Sequence, residues 1–178
     1  MGGRGAAAHA GAPALSCALL LASLVAGCAN LPAPGSTSGR IAVRVDANGG
    51  APARSVGASF DLLGDGERGE LRLSGPLGST VALGRWSPGD AVLVDQRGER
   101  RFADLDALSL ETFGEALPLR ALPDWIRGRP WSGAPSQPTA DGFVQLGWQV
   151  VLARFAEGAI DAIRLAPPHA SVRVRLDR

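Results

Sequence analysis

The clearest regularity along the chain is an alternation of apolar and polar residues with a period of two, which marks strands that bury one face. Ile41, Val43 and Val45 alternate with Ala42, Arg44 and Asp46, and Val56, Ala58, Phe60 and Leu62 alternate with Gly57, Ser59 and Asp61. After the turn cluster Gly64-Asp65-Gly66-Glu67-Arg68-Gly69, Leu71 and Leu73 alternate with Glu70, Arg72 and Ser74, which predicts a hairpin. Val81 and Leu83 open another strand. Ser87-Pro88-Gly89-Asp90 turns the chain into the apolar run at 91–95, and Gln96-Arg97-Gly98 turns it again. This order predicts an antiparallel meander.

The period then lengthens. Leu105 and Leu108, continued by Leu110 and Phe113, follow helical spacing behind the N-cap residue Asp104, and Gly114 suits the position just past the helix. A second helix is predicted over 118–127, with Leu119, Leu122, Trp125 and Ile126 on one side and a kink at Pro123. Beyond a Pro- and Gly-rich loop at 128–142 the period of two returns. Val144, Leu146, Trp148, Val150 and Leu152 fall on one face of a long predicted strand, and shorter strands follow at 160–165 and 171–177. The last of these sets Val172, Val174 and Leu176 against Arg173, Arg175 and Asp177. The sum is a mainly β chain with an antiparallel sheet of about eight to eleven strands and a helical insertion; a sheet of that size tends to curl, and the apolar helices must cover its inner face.

One loop breaks the pattern. Leu77 lies between Pro76 and Gly78 in Ser74–Thr80, where turn tips usually carry Gly, Asn, Asp or Ser. A leucine there has no core to enter, although a single exposed leucine is ordinary. Spacing alone leaves its role open.

The N-terminus follows a different logic. Arg4 and His9 precede an apolar run at 14–26, long enough for the hydrophobic region of a signal peptide and short of the roughly 20 residues that span a bilayer. The run ends in Leu24-Val25-Ala26-Gly27-Cys28, which resembles the bacterial lipobox. That resemblance implies diacylglycerol on the Cys28 thiol and cleavage in front of it. The expected organisation is a lipoprotein signal peptide at 1–27, a lipidated Pro/Gly/Ser-rich linker at 28–39 and one domain at 40–178. Several acyl chains on one residue hold a protein on a membrane effectively permanently. Ala29, not an aspartate, follows the cysteine, and by the sorting rule known for many Gram-negative bacteria this implies the outer membrane, with the domain facing the periplasm.

Composition narrows the chemistry. Lys+Arg 18 against Asp+Glu 17 gives a net charge of +1, so no global field favours nucleic acid. All 18 basic residues are arginine. His9, Cys17 and Cys28 lie in the N-terminal segment, and His169 is the single histidine of the body, too few for a zinc site of about four Cys or His ligands. No nucleophile, base and orienting group can be assembled from the motifs, and no Gly-rich phosphate loop is present. No enzyme activity, metal or cofactor is expected.

Larger motifs then acquire meaning together. Gly39-Arg40-Ile41-Ala42-Val43-Arg44, Gly75-Pro76-Leu77-Gly78-Ser79-Thr80, Leu117-Pro118-Leu119 with Leu122 and Trp125-Ile126-Arg127-Gly128, and Gln145-Leu146-Gly147-Trp148 occur in this order. The series is similar to the LolB family of outer-membrane lipoprotein receptors, over roughly Gly39 to Leu176. The resemblance implies an incomplete, unclosed antiparallel β-barrel with helices packed in its mouth around an apolar cavity. It further implies a monomer that accepts acylated lipoprotein cargo from the periplasmic carrier LolA, binds the acyl chains and inserts them into outer-membrane lipids. The family's membrane-delivery leucine matches Leu77. Phe60, Leu71, Leu73, Leu83, Trp125, Ile126 and Trp148 are the expected cavity lining. The chain departs from the family in its few aromatics, 4 Trp and 5 Phe, and in stopping at Arg178 without a tryptophan-containing tail. A lining mainly of leucine and valine follows. The competing expectation is a structural outer-membrane lipoprotein that scaffolds a protein complex around a filled core.

Overall fold

The computed structural model describes Gly2 and residues 36–177; Cys28, the rest of the expected signal peptide and most of the expected linker lie outside the described residues. The elements run β1 (Thr37–Val45), β2 (Arg54–Gly64), β3 (Gly69–Ser74), β4 (Thr80–Ser87), β5 (Asp90–Asp95), β6 (Gly98–Phe102), α1 (Leu105–Phe113), α2 (Leu122–Ile126), β7 (Ser136–Thr139), β8 (Gly142–Gln145), β9 (Trp148–Val151), β10 (Ala159–Arg164) and β11 (Ala170–Leu176). A 3-10 turn at Phe155–Glu157 precedes β10. β1 starts three residues ahead of the expected domain boundary at Arg40.

The strands form one 11-stranded sheet in the order β6-β5-β4-β3-β2-β1-β11-β10-β9-β8-β7, antiparallel throughout. Its ends, β6 and β7, are free edges, so the sheet is not closed. Only the β1–β11 pair joins strands distant in sequence. The two edge strands escaped the hydrophobic pattern because neither has one: β6 reads Gly-Glu-Arg-Arg-Phe, and β7, Ser-Gln-Pro-Thr, is exposed along its length. Charge and a proline are what discourages another chain from adding to a sheet edge.

Two further expectations are corrected. The long strand over 144–152 is instead the β8–β9 hairpin, turned at Leu146-Gly147 with φ of 53° and 76°. Positive φ at both central residues suits a two-residue hairpin turn, and glycine tolerates it freely. The buried positions are Phe143, Gln145, Trp148 and Val150, while Leu146 sits outside on the turn. A polar residue on the inner face and an apolar one at the turn imitated an unbroken alternation. The second helix is shorter than expected, and Pro123 lies in its first turn, where a missing N–H costs nothing and no kink is needed.

α1 forms as its caps dictate. The Asp104 carboxylate accepts from the Ala107 N–H at 2.8 Å, and the Gly114 N–H donates to the Leu110 carbonyl at 2.8 Å. Leu105, Leu108 and Ser109 face inward, and Leu110 is 55% exposed. Leu105 and Leu108 pack on Ala91 and Leu93 of β5. A larger cluster joins Ile41, Val43, Phe60, Leu62, Val172 and Val174 of the central strands to Leu117, Leu122, Trp125 and Ile126. Among the described residues, the single sheet and both clusters form one hydrophobic core, the anatomy of a domain that can in principle fold alone.

Candidate functional site

An apolar pocket of about 140 Å³ lies between the sheet and the α1–α2 segment. Ile41 and Val43 of β1, Val56 and Leu62 of β2, Leu71 and Leu73 of β3, and Leu93 of β5 form one wall; Leu105, Leu108, Phe113, Leu117, Leu119 and Leu122 form the other. The room between them is made by β4, which turns Ala82 and Gly84 inward opposite Leu73 and Leu71. A small residue facing a large one in adjacent strands leaves a gap that a second leucine would have filled.

The expected lining residues divide into three groups. Leu71 and Leu73 line the pocket. Phe60, Trp125, Ile126 and Trp148 are buried in the filled core instead, where the Trp125 ring meets Phe143 edge-on at 6.3 Å and Trp148 at 6.4 Å. Leu83 is on the opposite face of β4, in register with Arg72 and Val94. The inner face of β4 carries Ala82, Gly84 and Trp86, so its larger aliphatics point outward and the apolar pattern misleads. Apart from Leu71 and Leu73, the lining residues were not among those expected, including Ile41, Val43, Val56 and Leu62 of the central strands, Ala82 and Gly84 of β4, Leu93 of β5 and the leucines of the helical wall.

Two polar groups interrupt the lining, Asp95 and Thr112. The Arg97 backbone N–H donates to the Asp95 carboxylate at 2.8 Å and the Arg100 guanidinium at 2.6 Å. Those partners, the backbone donor first, hold its pKa below the usual carboxylate range. The Thr112 hydroxyl is buried without a hydrogen-bond partner.

The helical wall is fastened to the sheet at a few points. Arg54, at the start of β2, donates to the Thr112 carbonyl at 2.7 Å, and Arg164, at the end of β10, donates to the Glu115 carboxylate at 2.6 Å. Between them the buried Ser109 hydroxyl accepts the Leu117 N–H at 2.8 Å. The last turn of α1 and the chain just after it are thereby held from β2 and β10, on either side of the central pair.

Leu77 stands apart from all of this. It is 96% exposed. The Gly78 N–H donates to the Gly75 carbonyl at 2.9 Å, the Gly75 N–H donates to the Ser79 carbonyl at 2.9 Å, and Gly78 adopts φ of 77°. Pro76 at the first central position presets the turn, so the leucine is presented on a stiff tip.

These features define a class, the mainly β proteins built on a single unclosed antiparallel sheet. Residues 36–177 match the family model described as outer membrane lipoprotein LolB. The outer-membrane lipoprotein LolB of Bordetella petrii is 38% identical over 151 residues, 76% of this chain and 75% of the relative. That of Bordetella pertussis is 36% identical over 154 residues, 76% of each. That of Chromobacterium violaceum is 35% identical over 153 residues, 78% of this chain and 82% of the relative. The chain belongs to the LolB family of outer-membrane lipoproteins.

Proposed function

We propose that this protein is the receiving end of a lipoprotein relay. Anchored by acyl chains on Cys28 and facing the periplasm, it accepts acylated lipoproteins from the carrier LolA, shelters their chains in the apolar pocket and inserts them into the outer membrane. The observation that supports this most is the pocket itself, walled by aliphatic side chains on both sides in a chain of the LolB family.

The energetics require such a step. A triacylated lipoprotein exposes on the order of 40 methylenes, and at about 0.8 kcal/mol each their transfer through water would cost about 30 kcal/mol. A membrane-side acceptor takes over cargo only by binding the chains more tightly than the carrier does. No nucleotide enters that exchange. A pocket of about 140 Å³ matches cavities of about 150 Å³ that hold a single benzene. Loading a longer chain therefore needs α1 and the segment to Pro123 to lift from the sheet, against the fastenings at Arg54 and Arg164. Leu77, stiffly presented at the far end of the β3–β4 hairpin, touches the bilayer on release.

The test is a transfer assay. LolA carrying a fluorescently acylated lipoprotein is mixed with vesicles that bear the full-length lipidated chain. Movement of the label into the vesicles supports the receptor; no transfer together with no acyl binding leaves a structural lipoprotein that scaffolds other proteins.

A further inference from the structure

The outer face of the sheet carries a charge arrangement that its own fold leaves uncompensated. Arg40 of β1 and Arg175 of β11 are direct cross-strand partners, and the row through them reads Ser59, Arg40, Arg175, Ala159 across β2, β1, β11 and β10. Like charges directly opposite each other destabilise a sheet. Neither arginine makes an ion pair among the described residues; Arg175 donates to the Val174 carbonyl at 3.2 Å. In the neighbouring row Arg173 reaches Asp161 at 3.6 Å, and Asp161 also faces Arg154 at 3.4 Å. Two further carboxylates share this face, Asp177, two residues beyond Arg175 with its backbone N–H on the Ser38 carbonyl at 3.0 Å, and Asp61, opposite Ser38 and Arg72; among the described residues neither forms an ion pair with Arg40 or Arg175.

The same face is hollowed beside these charges. Ala42 and Gly57 sit between the arginines and the β3–β4 turn, forming a shallow groove whose far rim is Pro76. A side chain placed at Gly57 would meet nothing within 4 Å. The next residue along the rim is the 96% exposed Leu77. Basic groups, open small-residue floor and projecting leucine thus share one side of the molecule.

We infer that this face, centred on Arg40 and Arg175, binds the phosphates of anionic phospholipids and sets the protein on the membrane with Leu77 inserted beside them. The inference rests on the proposed membrane role of Leu77 and adds the lipid chemistry recognised next to it. A guanidinium presents planar donors that match phosphate oxygens in pairs, and two of them with the exposed Ser59 hydroxyl give a cluster of donors for one or two headgroups. The arrangement suits a bilayer better than an acidic protein, because an exposed leucine beside arginines reproduces the apolar-below, charged-above layering of a membrane interface.

Vesicle binding of the 36–177 segment tests this. Sedimentation with vesicles of phosphatidylcholine alone is compared with vesicles of equal parts phosphatidylcholine and phosphatidylglycerol, in low and high salt. The expected result is binding to the anionic vesicles that weakens with salt and falls about twenty-five-fold in Arg40→Gln/Arg175→Gln, at about fivefold per arginine. Circular dichroism of that variant checks that the sheet is intact. Equal binding to both vesicles, or anionic binding unchanged in the double variant, overturns the inference. So does absence of vesicle binding combined with an arginine-dependent complex with LolA, which would reassign the face to a protein. Leu77→Glu separates the two readings. Lost delivery with arginine-independent binding overturns the lipid face alone, and intact delivery with arginine-dependent binding overturns the role of Leu77 alone.

Discussion

The indole N–H of Trp125 donates to the side-chain oxygen of Gln145 at 2.8 Å, and both residues are 1% exposed. The same oxygen accepts the Trp131 N–H at 2.9 Å, while the amide nitrogen donates to the carbonyls of Trp131 and Ala134 at 2.7 and 2.8 Å. One buried amide thereby uses its full capacity to tie α2 and the following loop to β8. A buried polar side chain of this kind is stabilising only while every partner is present.

Replacing Gln145 with alanine strands one indole donor, one backbone donor and two carbonyls. The expected loss is about 3 kcal/mol or more, at about 1 to 3 kcal/mol for each buried group left unpaired and some rescue by water. Urea unfolding measures it; a loss below about 1 kcal/mol would mean that the network contributes little.

Leu77→Glu should leave stability within about 0.5 kcal/mol of the parent, because the side chain packs on nothing. Delivery of lipoprotein to vesicles should be abolished while acyl binding persists. Unfolding curves and the transfer assay, run on the same preparation, separate these two outcomes.

The gap made by β4 offers a constructive test. Ala82→Leu adds apolar volume facing the pocket, and filling it is expected to be neutral or to stabilise by up to about 1 kcal/mol. Uptake of an acylated fluorescent probe should fall at the same time. Stability lost together with binding would point to overpacking and away from a pocket of the described size.

Arg164→Ala removes the 2.6 Å contact with Glu115, a pair in which both side chains are mostly buried. The helical segment should lift more readily, raising the rate of probe uptake, at a stability cost of about 1 to 3 kcal/mol for the carboxylate left behind. Stopped-flow fluorescence reads the rate. An unchanged rate would exclude this fastening as a control on access.

Acid should weaken the fold through two aspartates. The Arg68 and Glu67 backbone N–H groups hold the Asp65 pKa down, and the Arg97 N–H does the same for Asp95. A carboxyl whose folded pKa lies below its unfolded value adds stability above the unfolded value, and that stability is lost as pH falls through the folded one. The midpoint in urea should hold steady from neutral pH to about 5 and decline below about 4. Asp95→Asn should flatten the part of the decline that comes from Asp95.

The alternation of apolar residues revealed the central strands, and Asp104 and Gly114 marked both ends of α1, because each of those signals is local. β6 and β7 were hidden for the opposite reason: an edge strand pairs on one side, buries little and needs no apolar face. The pocket was half legible. Leu71 and Leu73 announce themselves, but a cavity is made by what is small, and Ala82 and Gly84 look unremarkable until the register sets them opposite two leucines. The aromatic residues were the most tempting lining, yet Trp125 is tied to Gln145 and packs with Phe143 and Trp148 in the filled core. Leu77 stood out in the sequence as an apolar residue between Pro and Gly, and its exposure follows from the turn those two neighbours build.

The β1–β11 pair sets the order in which the molecule can be made. Every other pairing among the described residues joins consecutive strands, so β1 to β6 and β7 to β11 can each grow as a series of hairpins. Gly39 must wait for Leu176, nearly the last residue of the chain, before the two halves join. Ile41 and Val43 lie on one side of that seam and Val172 on the other, and all three line the pocket. The apolar pocket is thus the final thing to form, and a chain cut short before β11 has two meanders and no pocket.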